Sequence, residues 1–158
     1  MGMVAASVLP LKQYAEFGGR STRTEVVGFY VLTMVVGLVA YLVSDWLELA
    51  AAKPWLDGAV AAIFFIPTLA LFVRRLHDSG RSGRWLLVVS PAIVVVIWEV
   101  VVRPRPFTLH IALHVPWWAA VPAFLSVLAL WALLFWPDDR GTNRYGPNPR
   151  CGPLGEPA

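Results

Sequence analysis

The chain has 158 residues, of which 58% are apolar and only 15% are charged, with a formal net charge of +3. This composition excludes an ordinary water-soluble domain, because so few polar residues cannot cover the surface of a globule of this size. The charged residues are gathered into blocks, and the stretches between the blocks are long enough to cross a bilayer.

Four apolar stretches predict transmembrane helices, since about 20 helical residues cross a hydrocarbon core of roughly 30 Å. The first stretch, residues 26–44, has no charged residue and follows Thr22-Arg23-Thr24-Glu25. That tetrapeptide has the pattern of a capping box, in which Thr22 caps the helix and Glu25 bonds back to it. The other three predicted spans are residues 55–73, 85–102 and 116–136.

Positive charges are unevenly divided between the two sides of these spans. Ten of the thirteen Lys and Arg residues fall on the side that carries both termini, and three fall on the other. Short loops rich in Lys and Arg tend to stay in the cytoplasm. We therefore expect an all-α membrane protein with four transmembrane helices in a bundle and both termini cytoplasmic. Residues 1–150 would form a single domain, followed by a flexible tail at residues 151–158.

The segment between the second and third spans, Arg74 to Arg84, holds four arginines together with His77 and Asp78. Asp78-Ser79-Gly80 has the chemistry of a turn, so the two middle spans are expected to form a hairpin. Asp78 also stands four residues after Arg74, a spacing at which oppositely charged side chains pair on a helix.

Three ordered motifs carry a resemblance to a known family. They are Phe17-Gly18-Gly19-Arg20-Ser21-Thr22-Arg23-Thr24-Glu25, the central segment beginning Arg74-Arg75-Leu76-His77-Asp78, and Gly141-Thr142-Asn143-Arg144-Tyr145-Gly146-Pro147-Asn148-Pro149. Together they resemble the domain of unknown function 805 family, over roughly residues 12 to 150. That family consists of small bacterial inner-membrane proteins without an assigned activity. The resemblance implies a four-helix protein in the bacterial inner membrane and supplies no catalytic residue.

All three motifs lie on the same predicted side of the membrane, so their polar residues are candidates for a ligand-binding site. Guanidinium groups bind phosphate through two parallel hydrogen bonds, which favours an anionic lipid headgroup or another phosphorylated ligand. The competing interpretation is that these arginines only fix topology and attract anionic lipid without specificity. The candidate residues are Arg20, Arg23, Glu25, Arg74, Arg75, His77, Asp78, Arg81 and Tyr145.

Three other functions stay open on the sequence. The first is a structural or interaction subunit, a homo-oligomer or a partner of another membrane protein, in which Gly58 and Ala62 permit close helix approach. The second is a small transporter, which a carboxylate within a span such as Glu99 would suggest. Only three residues separate Glu99 from Arg103 at the outer end of the third span, so pairing with Arg103 argues against that role. The third is a membrane enzyme with His77 as acid or base. We expect the bilayer as partner, and no catalytic residue, cofactor, metal ion or nucleic acid.

Overall fold

Helices make up most of the regular structure in this computed structural model, which describes residues 3–47, 53–102, 116–139 and 141–149. Five α-helices and one 3₁₀ helix occur in these ranges. They are α1 (Met3–Lys12), α2 (Arg23–Trp46), α3 (Lys53–Asp78), the 3₁₀ helix (Gly83–Val89), α4 (Ser90–Val102) and α5 (Trp117–Leu134).

Within the described ranges, three helices are long and apolar enough to cross a membrane, namely α2, the Gly58–Asp78 part of α3, and α5. They contain or nearly match the predicted spans 26–44, 55–73 and 116–136. α3 continues past the predicted end at residue 73, so Arg74 to Asp78 form its last turns. Cationic side chains in the last turn of a helix are stabilised by the negative end of its dipole.

The predicted span 85–102 is not one continuous α-helix, and Pro91 supplies a physical reason. The chain forms a 3₁₀ helix over Gly83–Val89 and becomes α-helical from Ser90. A proline has no N–H group with which to bond the carbonyl four residues earlier, here that of Leu87. The apolar helical stretch Gly83–Trp98 is accordingly shorter than the other three.

A short helix that the sequence did not predict, α1, packs against α2 and α3. α1 approaches α2 closely at Gly28, where an added Cβ would lie 3.2 Å from the Ser7 Cβ. A buried apolar cluster is formed by Val26, Phe29 and Leu71 of α2 and α3. α1 therefore helps to close the core between α2 and α3.

The chain divides into two compact units. The first contains α1, α2, α3 and the residues after Pro137, and the second is Arg84–Trp136, in which α4 packs against α5. In the apolar windows of α2 and α5 only 17% of the residues are buried within the protein. Apolar helix faces left this exposed are suited to contact with lipid chains.

Two sequence-based predictions concern features outside the described residues. These are the role of the Glu99 side chain and the flexible tail at residues 151–158.

Candidate ligand-binding site

The predicted capping box is confirmed at the start of α2. The Glu25 amide donates to Thr22 Oγ1 at 3.3 Å, and Glu25 Oε1 accepts from the Thr22 amide at 3.2 Å. Just before the cap, the amide of the buried Ser21 donates to the Arg74 carbonyl at 3.2 Å. The first motif is thereby attached to the last turns of α3.

The turn after α3 ends the helix through Gly80. Its φ of +71° lies in the left-handed region, which glycine adopts without the steric cost that a side chain brings. The Gly80 amide donates to the His77 carbonyl at 3.0 Å, and the Arg81 amide donates to the Leu76 carbonyl at 2.9 Å. This pair of bonds is a Schellman motif, so the predicted turn is confirmed.

Asp78 binds two buried arginines at this helix end. Arg20 Nε donates to Asp78 Oδ1 at 2.8 Å, and Arg75 Nη1 donates to Asp78 Oδ2. The three side chains are at most 1% exposed. Asp78 therefore pairs with Arg75, three residues earlier, because Arg75 faces the interior beside Arg20. The expected pairing with Arg74 is not found, since Arg74 Nη1 donates instead to Gln13.

Arg20 also holds the chain segment that follows the second unit, residues 137–139 and 141–149, which we call the strap. Its Nη2 donates to the Asp139 carbonyl at 2.5 Å and its Nη1 to the Gly141 carbonyl at 2.6 Å. The Asp139 amide donates in turn to the Asp78 carbonyl at 2.9 Å. One guanidinium thus joins all three sequence motifs. We call Arg20, Arg75, His77, Asp78 and the strap the motif cluster.

The strap is fixed a second time by aromatic stacking. The rings of His77 and Tyr145 are 3.7 Å apart and 4° from parallel, and the Arg144 guanidinium lies 4.8 Å from the Tyr145 ring centre. His77 Nδ1 lies 3.2 Å from the Gly19 carbonyl oxygen. Because a carbonyl oxygen only accepts, this contact requires the proton on Nδ1. Asn143 Nδ2 donates to the His77 carbonyl at 2.9 Å.

Arg74 differs from the other buried arginines in the use of its donors. The residue is 2% exposed. Its Nη1 donates to Gln13 Oε1, while its buried Nε and Nη2 have no hydrogen-bond partner in the described part of the chain. Nε and Nη2 form one edge of the planar guanidinium, an edge that offers two parallel N–H groups. The two unpaired N–H groups of this edge could both donate to one ligand that carries oxygen acceptors.

Two of the other candidates, Arg23 and Arg81, are less buried than Arg75 and Asp78. Arg23 Nη2 lies 3.3 Å from Asp138 Oδ1, with 41% of the arginine side chain exposed. Arg81 is half-buried, and its Nη1 donates to Ser79 Oγ at 3.4 Å. Among the nine candidates, the motif cluster contains Arg20, Arg75, His77, Asp78 and Tyr145.

Sequence reasoning missed Gln13, which accepts from Arg74, and its neighbour Tyr14. Tyr14 Oη donates to the Ile63 carbonyl at 2.9 Å. That carbonyl is four residues before Pro67, which has no N–H group to offer it. The proline signals that the Ile63 carbonyl needs another donor, although no local pattern identifies Tyr14 as the one that supplies it.

Long apolar helices with a polar motif cluster beside them define a multi-pass membrane protein. Comparison with known proteins leads to the same class of protein. Residues 14–147 match the family described as protein of unknown function DUF805. The inner membrane protein YhaI of Escherichia coli K12 is 30% identical over 142 residues, which cover 90% of this chain and 92% of YhaI. The chain belongs to the DUF805 family, and it is a multi-pass protein of the bacterial inner membrane.

Two further relatives from the same organism match a smaller part. The inner membrane protein YhaH is 33% identical over 79 residues, covering 49% of this chain and 65% of YhaH. The uncharacterized protein YiiR is 31% identical over 103 residues, covering 61% of this chain and 64% of YiiR. No solved structure matches the chain significantly.

Proposed function

We propose that the protein is a four-span membrane protein with both termini in the cytoplasm, and that its arginine-rich face binds an anionic phosphate group. The phosphate belongs to a lipid headgroup or to another phosphorylated ligand. The observation that supports this proposal is the unused Nε and Nη2 edge of the buried Arg74. A buried donor without a partner costs about 1–3 kcal/mol, and more when it is charged. A phosphate with two oxygens toward this edge would recover that cost.

The other buried arginines are poorer candidates for the same role. Arg20 and Arg75 share the Asp78 carboxylate, and Arg20 spends its remaining donors on strap carbonyls. A ligand that bound them would first have to break these internal bonds. The binding function, which the sequence assigned to nine residues, therefore centres on Arg74.

The test compares Arg74→Lys with Arg84→Lys by native mass spectrometry of the protein in mild detergent, with retained lipids identified from the intact complex. Both substitutions keep the positive charge and remove the two-donor edge. Arg84 is exposed and belongs to the second unit, so it is a matched control. We expect Arg74→Lys to weaken retention about tenfold, from the loss of one charged hydrogen bond, and Arg84→Lys to have no effect.

A thermal unfolding series with inorganic phosphate or with a short-chain phospholipid separates the two sources of the phosphate group. Stabilisation of the wild type by the phospholipid alone would indicate a lipid headgroup, and stabilisation by both would indicate a site for phosphate itself. Equal lipid retention and equal stabilisation in the wild type and a folded Arg74→Lys variant would contradict the proposal.

A structural or interaction subunit is the second candidate, and the closed network around Arg20 favours it. The buried Arg20 bonds Asp78 and two backbone carbonyls, and these bonds hold three separate segments together, which is a structural role. In that role the protein would associate with a second copy or another membrane protein. The same native mass spectra report this, since a stable homo-oligomer has a multiple of the chain mass.

A further inference from the structure

A surface groove lies at Gln13, the residue that accepts the hydrogen bond of Arg74 Nη1. It has a volume of about 310 Å³ and is lined by consecutive residues from Lys12 to Glu16, after the end of α1. Small-molecule sites begin at about this volume. Gln13 both lines the groove and accepts the hydrogen bond of Arg74 Nη1, so it connects the groove with the buried guanidinium.

The groove wall is held in place by two hydrogen bonds. Tyr14 Oη donates to the Ile63 carbonyl of α3 at 2.9 Å, and the Glu16 amide donates to the Gln13 carbonyl at 3.2 Å. A wall fixed in advance loses little conformational entropy when a ligand binds. The groove is therefore organised before any ligand arrives.

The charges at this place are balanced. Lys12 and Glu16 line the groove and are exposed, while Glu16 and Glu25 both lie close enough to Arg74 to act on its charge. The positive charges of Lys12 and Arg74 formally cancel the negative charges of Glu16 and Glu25. A site of this kind gains little from the net charge of a purely anionic ligand, and it complements a ligand that carries both signs.

The two carboxylates are not equivalent. Glu25 is buried and accepts the capping-box hydrogen bonds of Thr22, so its position is needed for the start of α2. Glu16 stands at the groove surface. A ligand whose phosphate lies near Arg74 would therefore place its cationic group at Glu16.

We infer that the groove binds the zwitterionic headgroup of an ethanolamine phospholipid, with its phosphate at Arg74 and Lys12 and its primary ammonium at Glu16. This inference rests on the proposed phosphate binding at Arg74. The phosphate takes the place of Gln13 Oε1 at Arg74 Nη1, and its second oxygen accepts from the unpaired Nη2. A primary ammonium donates three hydrogen bonds to oxygen acceptors, whereas the methylated ammonium of a choline lipid has no N–H group to donate.

The experiment presents the purified protein with an equimolar mixture of ethanolamine, choline and glycerol phospholipids of identical acyl chains. Native mass spectrometry then measures which lipid each protein retains. We expect the wild type to retain the ethanolamine lipid about tenfold better than the choline lipid. Glu16→Gln should abolish this preference while keeping phosphate-dependent retention. Asp45→Asn removes an exposed carboxylate at the far end of α2 and should leave the preference unchanged.

The possible failures are distinguishable. An unchanged ethanolamine preference in Glu16→Gln, or a wild-type preference for the anionic glycerol lipid, would overturn this inference and leave the phosphate site intact. If Arg74→Lys retains all three lipids as the wild type does, the phosphate site itself is refuted and this inference falls with it. Because Glu16 is exposed, its substitution should leave the fold intact, and the thermal unfolding of the variant checks this.

Discussion

Replacing Asp78 with asparagine should destabilise the first unit far more than replacing Asp138. Asp78 is the shared carboxylate between Arg20 and Arg75, and all three side chains are at most 1% exposed. Asparagine keeps the shape but has no charge and only one acceptor oxygen, so two buried guanidinium groups lose their counterion. Removing one partner from a buried ion pair costs about 3–5 kcal/mol.

The Arg23–Asp138 pair gives the scale for an exposed interaction. Its arginine side chain is 41% exposed, and pairs of this kind contribute about 0–1 kcal/mol. Asp138→Asn removes the same charge from the same unit, so it is a matched control. We therefore expect a difference of about 3 kcal/mol between the two variants. Since whole domains are stable by about 5–15 kcal/mol, Asp78→Asn would remove a large part of the total.

Two measurements check this prediction. Denaturant unfolding in detergent, followed by the fluorescence of the eight tryptophans, gives the free energy of unfolding for each variant. Limited proteolysis should also cut the strap sooner in Asp78→Asn, because Arg20 holds both Asp78 and the strap carbonyls. If Asp78→Asn lowers the unfolding free energy no more than Asp138→Asn does, the buried arginine pair does not stabilise the cluster as argued.

Two further substitutions test local features. Tyr14→Phe removes the donor to the Ile63 carbonyl and should cost about 0.5–1.5 kcal/mol in the wild type. In a Pro67→Ala background the new amide can bond that carbonyl, so the same substitution should cost less, and an equal cost would contradict the pairing. Gly80→Ala should cost at least about 1–2 kcal/mol because of its φ of +71°, whereas Gly37→Ala, in an open helical position, should not destabilise. Thermal unfolding compares these last two, and equal melting temperatures would refute the strain argument.

Sequence rules succeeded where a feature depends on neighbours along the chain. The capping box at Thr22 and Glu25 and the turn at Gly80 follow from local hydrogen bonding, and the apolar lengths of α2 and α5 follow from bilayer thickness. The end of α3 was misplaced because the charged residues after Val73 were interpreted as a loop. Helical geometry instead directs those side chains to different neighbours.

Features that depend on tertiary contacts were not predictable. α1 is only ten residues long and contains Pro10, so its stability comes from packing on α2 and α3. The different roles of Arg74 and Arg75 are set by which face of α3 each residue occupies. Adjacent helical residues point about 100° apart, and only the packed structure tells which one meets Gln13 and which one meets Asp78.

The bonds between Arg20 and the strap join two parts of the chain that are synthesised at different times, and this sets an order for folding. Arg20 precedes its partner Asp139 by 119 residues. At about 5–20 residues per second, a ribosome needs roughly 6–24 s to travel that distance. Asp78 follows Arg20 by only 58 residues, so it is synthesised well before the strap partners. The strap can therefore close on Arg20 only after Asp139 has been synthesised and has reached the side of the membrane on which Arg20 lies.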